Sequence, residues 1–377
     1  MSSTKDSTVA FAFDIDGVLV KGKKPIPGAR ETIQLLQGLR IPFIFLTNGG
    51  GHTEEAHVAK LGQRLDLTLG AKQFVQSHTP FLDLVPKYGE KTVLVLGGLG
   101  QQIRDLAHAY GFKNVVTSSD IMAACEHVHP FPEMTRDHHS EHGRSSSLDT
   151  PLGSTQIAAI LVWTSPRDWC LDLQVATDLL LSDAGVIGTR SPANGDDALP
   201  NSGFQRGGQP ELFFCNPDFE WSTEHEHPRF AQGAFREALK GVWRQATGGR
   251  AELEYNLLGK PTAATYRYGE RVLREYAAGA PDAPSQRASA IDTVYMVGDN
   301  PESDIVGANS YQSPHGIAWK SILVETGVYK ANSVPSHKPY HTAPNVAAAV
   351  EWALKREGVT AVEDSGCSLQ HANGAAQ

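Results

Sequence analysis

"VAFAFDIDGVLV", Val9 to Val20, sets an unbroken apolar run, Val9 to Phe13, ahead of two aspartates, Asp14 and Asp16, and then Gly17. An apolar run with no polar alternation is the pattern of a strand buried on both faces, as in a parallel sheet covered by helices. Two carboxylates one residue apart repel each other unless a cation or hydrogen-bond donors hold them. The end of this strand is therefore a candidate site as well as the start of the fold.

Working outward, "KKPIPGARETIQLLQGLR" carries Ile33, Leu35, Leu36 and Leu39 at helical spacing, and "IPFIFLTNGGG" supplies a second apolar strand that ends in Thr47 and Asn48. Thr53 is an N-cap for a following helix, with Glu54 and Glu55 in its first turn. The middle of the chain alternates again, with strands in "KTVLVLGG", "KNVVTS" and "IAAILVW". The last third returns to strand, loop and helix in "IDTVYMVGDNPESDIVGANS" and closes with "SILVETGV". Such alternation predicts an α/β fold with a parallel sheet and right-handed crossovers. Two outer segments, 1–80 and 216–360, share one sheet and flank an inserted middle module, 81–215. Residues 126–156, rich in His, Ser, Pro and Gly, read as a flexible insertion within that module, and 361–377 as a disordered tail.

Composition excludes several classes of function. A net charge of −9 and the absence of any Lys/Arg-rich run argue against a nucleic-acid partner. No apolar stretch approaches the roughly 20 residues of a membrane span. Cys125, Cys170, Cys215 and Cys367 are scattered, with no CxxC pair, which fits a reducing compartment. "MSSTKDSTVAFAFD" has neither a signal-peptide core nor the Arg-rich character of a transit peptide, so the expected location is cytoplasmic.

Three polar clusters follow apolar strands: Asp14/Asp16, Thr47/Asn48 and Asp299/Asn300. Ligands of open parallel sheets bind outside the carboxyl ends of the strands, so these clusters converge on one cleft. "LLGKP" adds Lys260 in a turn framed by Gly259 and Pro261. Carboxylate oxygens suit Mg²⁺, and the cation removes the repulsion between Asp14 and Asp16. Lys260, the Thr47 hydroxyl and the Asn48 amide then surround a phosphoryl group, with a carboxylate nucleophile beside it. The expected partner is a small phosphorylated metabolite.

These residues also resemble the haloacid dehalogenase superfamily, whose four motifs match "DIDG", "FLTN", "LGKP" and "GDNPESD" in order. "CNPD" and the position of the inserted module resemble subfamily IIA, the NagD-like phosphatases. "LTNGGG", "QSHTPF", "NLLGKPTAATYRYGE" and "SILVETGVY" resemble the eukaryotic branch named after the cat eye syndrome critical region. The likeness runs from about Val9 to Lys330, outside the two long loops. It implies a three-layer Rossmann-like core with an inserted α/β cap of the C2 type. It further implies an Mg²⁺-dependent phosphatase with an aspartyl-phosphate intermediate.

Carried over, Asp14 is the nucleophile; Asp16 is the general acid and then base, while its backbone carbonyl binds Mg²⁺. Thr47, Asn48 and Lys260 hold the phosphoryl group. Asp299 completes the metal set with Asp14 and Asp16. Asn300 stands behind it, and Asp304 orients Lys260 or a metal-bound water. The cap is the expected surface for any homodimer. The resemblance leaves open a weakly active or non-catalytic binding protein tied to mitochondrial or glycerophospholipid metabolism, and with it a mitochondrial location. His127, His129, His138, His139, His142, His225 and His227 read as solvated loop residues, and Trp163, Trp169 and Trp221 as packing residues of the core or cap.

Overall fold

The computed structural model describes residues 9–148, 154–221, 225–227, 229–279, 291–329, 331 and 333–359. The expected tail at 361–377 lies outside the described residues, as does part of the 126–156 insertion. The strands that carry the fold are, in chain order, β1 (Val9–Phe13), β2 (Phe43–Leu46), β3 (Phe74–Val75), β4 (Thr92–Leu96), β5 (Asn114–Thr117) and β6 (Ala159–Val162). They continue with β7 (Glu211–Phe214), β8 (Asn256–Leu257), β9 (Thr293–Gly298), β10 (Ala318–Val324) and β11 (His341–Ala343). Among the described residues no helix is long and apolar enough to cross a membrane.

The first sheet has the order β11-β10-β9-β1-β2-β3 and is parallel throughout. Alternate residues of β1 point to opposite faces, as a strand period of two requires. Phe11 and Phe13 join the packing beneath helices Ala29–Gly38, Glu54–Leu65 and Val346–Arg356. Ala10 and Ala12 join the other face, beneath helix Ala263–Ala278. Both faces are covered, so the strand is apolar at every position. From β1 the chain runs to β2 and β3 on one side and later returns to β9 on the other. The order thus reverses between β1 and β9, which opens a crevice at their carboxyl ends.

The second sheet, β8-β7-β6-β4-β5, is also parallel and buried on both faces. Its composition alters the expected partition. Helix Gln232–Ala246 packs Phe235, Leu239 and Trp243 onto this sheet, followed by Ala251, Leu253 and β8. Residues 232–257, read from the sequence as part of the second outer segment, therefore belong to the inserted layer. Local alternation could not reveal this, because an amphipathic helix fits either sheet.

The described part of the 126–156 insertion is also not the solvated loop that its composition suggests. Its described part contains helix Arg136–His142, and His129, His139 and Leu148 are buried. Of the tryptophans, Trp163 is fully buried against Phe81, Tyr110 and Phe112, and Trp169 packs on Phe235. Trp221, expected to pack, is 58% exposed in the short hairpin Glu220–Trp221 and Arg229–Phe230.

Candidate active site

The carboxyl edges of the two sheets meet. Asp14 follows β1, Thr47 and Asn48 follow β2, and Asp299 follows β9; Asp218 follows β7 and Lys260 follows β8. Register fixes the neighbours on the first sheet, because Phe13 pairs with Phe45 of β2 and with Val297 of β9. Asp14 is the next residue out on β1, and Thr47 and Asp299 lie one residue further along their strands.

Lys260 is buried, and its Nζ lies 2.7 Å from Asp14 Oδ1 and 2.7 Å from Asp304 Oδ1. Burial works to lower the pKa of Lys260, but the charges of Asp14 and Asp304 outweigh it and the net shift is upward. The two carboxylates thus favour the charged ammonium. Asn48 delivers it: Asn48 Oδ1 accepts the Lys260 backbone N–H at 2.7 Å, and Asn48 Nδ2 donates to the Lys260 carbonyl at 2.9 Å. The same Nδ2 donates to Asp218 Oδ1 at 3.1 Å. Asn48 was expected to donate to a phosphoryl group. Its amide instead spans from the first sheet to the Lys260 turn of the second.

Asp299 is buried, and its Oδ2 accepts the Val328 N–H at 2.6 Å. Gly17 and Gly327 press on the same oxygen. A Cβ on Gly17 would come within 2.4 Å of Asp299 Oδ2, and one on Gly327 within 1.9 Å. Gly17, with φ +89°, is thus required both for its backbone conformation and for this close approach. Asp304 Oδ2 accepts the Asn300 N–H at 3.1 Å, and the Asn300 side chain caps the following turn through the Glu302 N–H at 2.9 Å. It is the Asn300 backbone N–H that touches Asp304. Thr47 is buried at the end of β2, where its Oγ1 accepts the Gly49 N–H at 3.0 Å.

The carboxylates feel one another. Burial raises Asp299 well above the usual carboxylate range, and the charges of Asp14 and Asp304 add to it. Asp304 is raised to about 6, by burial first, with Lys260 opposing. Asp16 is open to the cleft yet has protein on most sides; that desolvation, then the Asp14 charge, raises it to about 6. Displaced carboxylate pKa values in a cleft mark proton-transfer or cation-binding work. Ligand oxygens of Asp14, Asp299 and Asp304 all lie within 4.8 Å of one another.

The sequence assigns Asp218 no role of its own, although "CNPD" contains it. It is raised to about 6 by burial, against the pull of Lys260 and the Asn48 hydrogen bond. Asn216 of the same motif donates from Nδ2 to the Asn48 carbonyl at 3.0 Å.

The model for haloacid dehalogenase-like hydrolases matches residues 11–113, and the HAD-hydrolase-like model matches residues 257–349. The chain is 34% identical over 369 residues to a mitochondrial hydrolase of Saccharomyces cerevisiae, covering 94% of this chain and 97% of that protein. It is 37% identical over 360 residues to a cardiolipin synthase (CMP-forming)/mitochondrial hydrolase fusion protein of Schizosaccharomyces pombe. That match covers 94% of this chain and 55% of the fusion protein. Among solved structures, a 4-nitrophenylphosphatase from Thermotoga maritima superposes with a TM-score of 0.58 at 17% identity, covering 92% of this chain and 97% of that one. At that identity the likeness is one of fold.

Proposed function

The chain belongs to the haloacid dehalogenase-like hydrolases, and from that premise we propose that it hydrolyses a small phosphomonoester by way of an aspartyl-phosphate. The observation that carries this reading is the Lys260 ammonium, 2.7 Å from both Asp14 and Asp304 at the junction of the two sheets. An ammonium there draws phosphoryl oxygens to the Asp14 carboxylate, and the Thr47 hydroxyl at the neighbouring strand end adds a donor.

In the first step Asp14 attacks phosphorus, the bond from phosphorus to the leaving oxygen breaks, and Asp16 gives that oxygen its proton. In the second step Asp16, now ionised, takes a proton from water as the water attacks phosphorus. The bond to Asp14 breaks and inorganic phosphate leaves. A group with a pKa near 6 can serve in both directions near neutral pH, which suits Asp16 to this exchange.

The donor set also suits magnesium. Three carboxylates face one buried lysine and leave negative charge uncompensated; at Asp299 and Asp304 burial, and then the neighbouring carboxylate charge, raises the pKa. Asp14, Asp299 and the Asp16 backbone carbonyl would hold the ion, which supplies positive charge against the phosphoryl oxygens. The names of the two fungal relatives support a mitochondrial location over the cytoplasmic one expected from the first residues, and cell fractionation decides between them.

The test is turnover of 4-nitrophenyl phosphate with and without Mg²⁺. Activity that requires Mg²⁺ and is lost in a folded Asp14→Asn variant supports the assignment. Mg²⁺-dependent turnover that survives in that variant overturns it.

A further inference from the structure

The inserted layer holds a second cluster that the hydrolytic site does not use. His129 and His139, both buried, direct Nε2 at one oxygen, Asp168 Oδ2, at 3.0 and 3.1 Å. Thr135 Oγ1 lies 2.7 Å from the same oxygen and 3.5 Å from His129 Nε2. Ligand atoms of the two histidines and Asp168 lie within 4.8 Å of one another. Tetrahedral bonds of about 2.0–2.1 Å place neighbouring donor atoms roughly 3.3 Å apart, so the two nitrogen–oxygen separations have the size of the edges of one coordination shell.

The surroundings fit that geometry. His139 Nδ1 is held by Ser119 Oγ at 2.9 Å, and Asp168 Oδ1 accepts the Leu171 N–H at 3.0 Å as it caps helix Trp169–Leu181. Ligating imidazoles and carboxylates commonly take such outer partners, which fix ring and carboxylate orientation. Protein hydrogen bonds alone leave the arrangement poorly paired. Three side chains crowd one carboxylate oxygen. His129 and His139 also line a cleft of about 610 Å³ with Glu126, Glu133 and Arg136, which gives an ion a path in.

We propose that His129, His139 and Asp168 form a divalent transition-metal site, for which zinc is the best-suited ion, with its fourth position on the cleft. Two imidazole nitrogens and one carboxylate oxygen are a borderline donor set, suited to zinc rather than to the hard cation of the aspartate cluster. The ligands come from two places: the 126–142 stretch brings the histidines and the start of helix Trp169–Leu181 brings the aspartate. An ion at this position fastens the insertion to the second sheet.

The experiment uses the full chain, stripped with a chelator and titrated with Co²⁺ under saturating Mg²⁺, which occupies the carboxylate cluster. The expected result is about one tight equivalent with the intense visible absorption of four-coordinate cobalt, displaced by Zn²⁺, and a melting temperature raised by Zn²⁺. His139→Gln and Asp168→Asn should lose that equivalent; Asn retains helix-capping ability, so the second variant keeps its fold if the first does not. An Asp14→Asn/Asp299→Asn double variant should keep it. No tight equivalent in the folded parent chain overturns the site, as does an equivalent that survives Asp168→Asn or disappears in the double variant.

Discussion

At the carboxyl edge of the first sheet the chain sets Asp14, Thr47 and Asp299 around the point where strand order reverses between β1 and β9. At the matching reversal of the second sheet, between β4 and β6, it sets Gly97, Gly98 and Thr164. There Gly97 and Gly98 have positive φ, and the Gly98 N–H donates to Thr164 Oγ1 at 2.6 Å. Gln102 reaches from this edge to the Gly51 carbonyl of the other sheet. The topology is the same and the equipment is not. Parallel order with a reversal makes a crevice; residue type decides whether the crevice does chemistry or closes over it. The charged residues of the second sheet, Asp218 and Lys260, follow only β7 and β8, where they join the carboxylates of the first.

The comparison breaks most sharply if the charged edge can be disarmed without effect. Asp14→Asn should lower phosphatase turnover by at least roughly 10³-fold with the far-UV spectrum unchanged, because no neighbouring group substitutes for the nucleophile. Turnover of 4-nitrophenyl phosphate measures it.

Asp16 comes next. Its carboxyl, raised to about 6, is protonated below that pH and ionised above it. Hydrolysis of an alkyl phosphate should therefore fall about tenfold per pH unit above about 6, and Asp16→Asn should flatten that limb at a rate roughly 10²- to 10⁴-fold lower. A nitrophenyl ester, which needs less protonation, should lose less in its first step. Equal losses for both esters would remove Asp16 from the proton transfer.

The junction itself is tested at Asn48. Asn48→Ala removes the amide that ties the first sheet to the Lys260 backbone, and a displacement of about 1 Å costs roughly 10²-fold in rate. A fall in kcat of that order with Lys260 and Asp14 intact is the expected result. An unchanged kcat would mean that β8 alone positions the lysine.

The smallest effect sharpens the contrast between buried carboxylates of the two sheets. Asp304 has Lys260 beside it, whereas Asp172, packed on the second sheet, accepts from the Ser118 hydroxyl and has no ion pair among the described residues. Burial raises Asp172 to about 7; the Ser118 hydrogen bond opposes the shift and the charge of Asp168 adds to it. The folded chain then binds a proton that the unfolded chain has released. Stability contributed at low pH is lost between the unfolded value of 3.8 and about 7. Asp172→Asn should match the parent near pH 4 and exceed it by a margin that grows as pH rises to about 7 and is then constant, read from urea midpoints.

Much of this was legible along the chain. Val9 to Phe13 had to be a strand buried on both faces, because nothing polar interrupts it, and Asp14, Thr47 and Asp299 had to lie at one edge, because each ends such a strand. Carboxylate, hydroxyl and ammonium in that order point to phosphoryl transfer, the chemistry proposed above. Tertiary structure alone decided the rest. Helix Gln232–Ala246 is amphipathic and carries no mark of which sheet it covers, so its place in the inserted layer followed only from packing. Asn48 could have faced a ligand; its amide is claimed by a backbone 212 residues away. The 126–142 stretch reads as solvated because His, Ser and Pro bury poorly by themselves, yet Asp168, 29 residues beyond His139, supplies the partner that makes burial tolerable. Periodicity reports what a segment can bury within itself, whereas a polar group inside a protein depends on a partner that the chain brings from elsewhere.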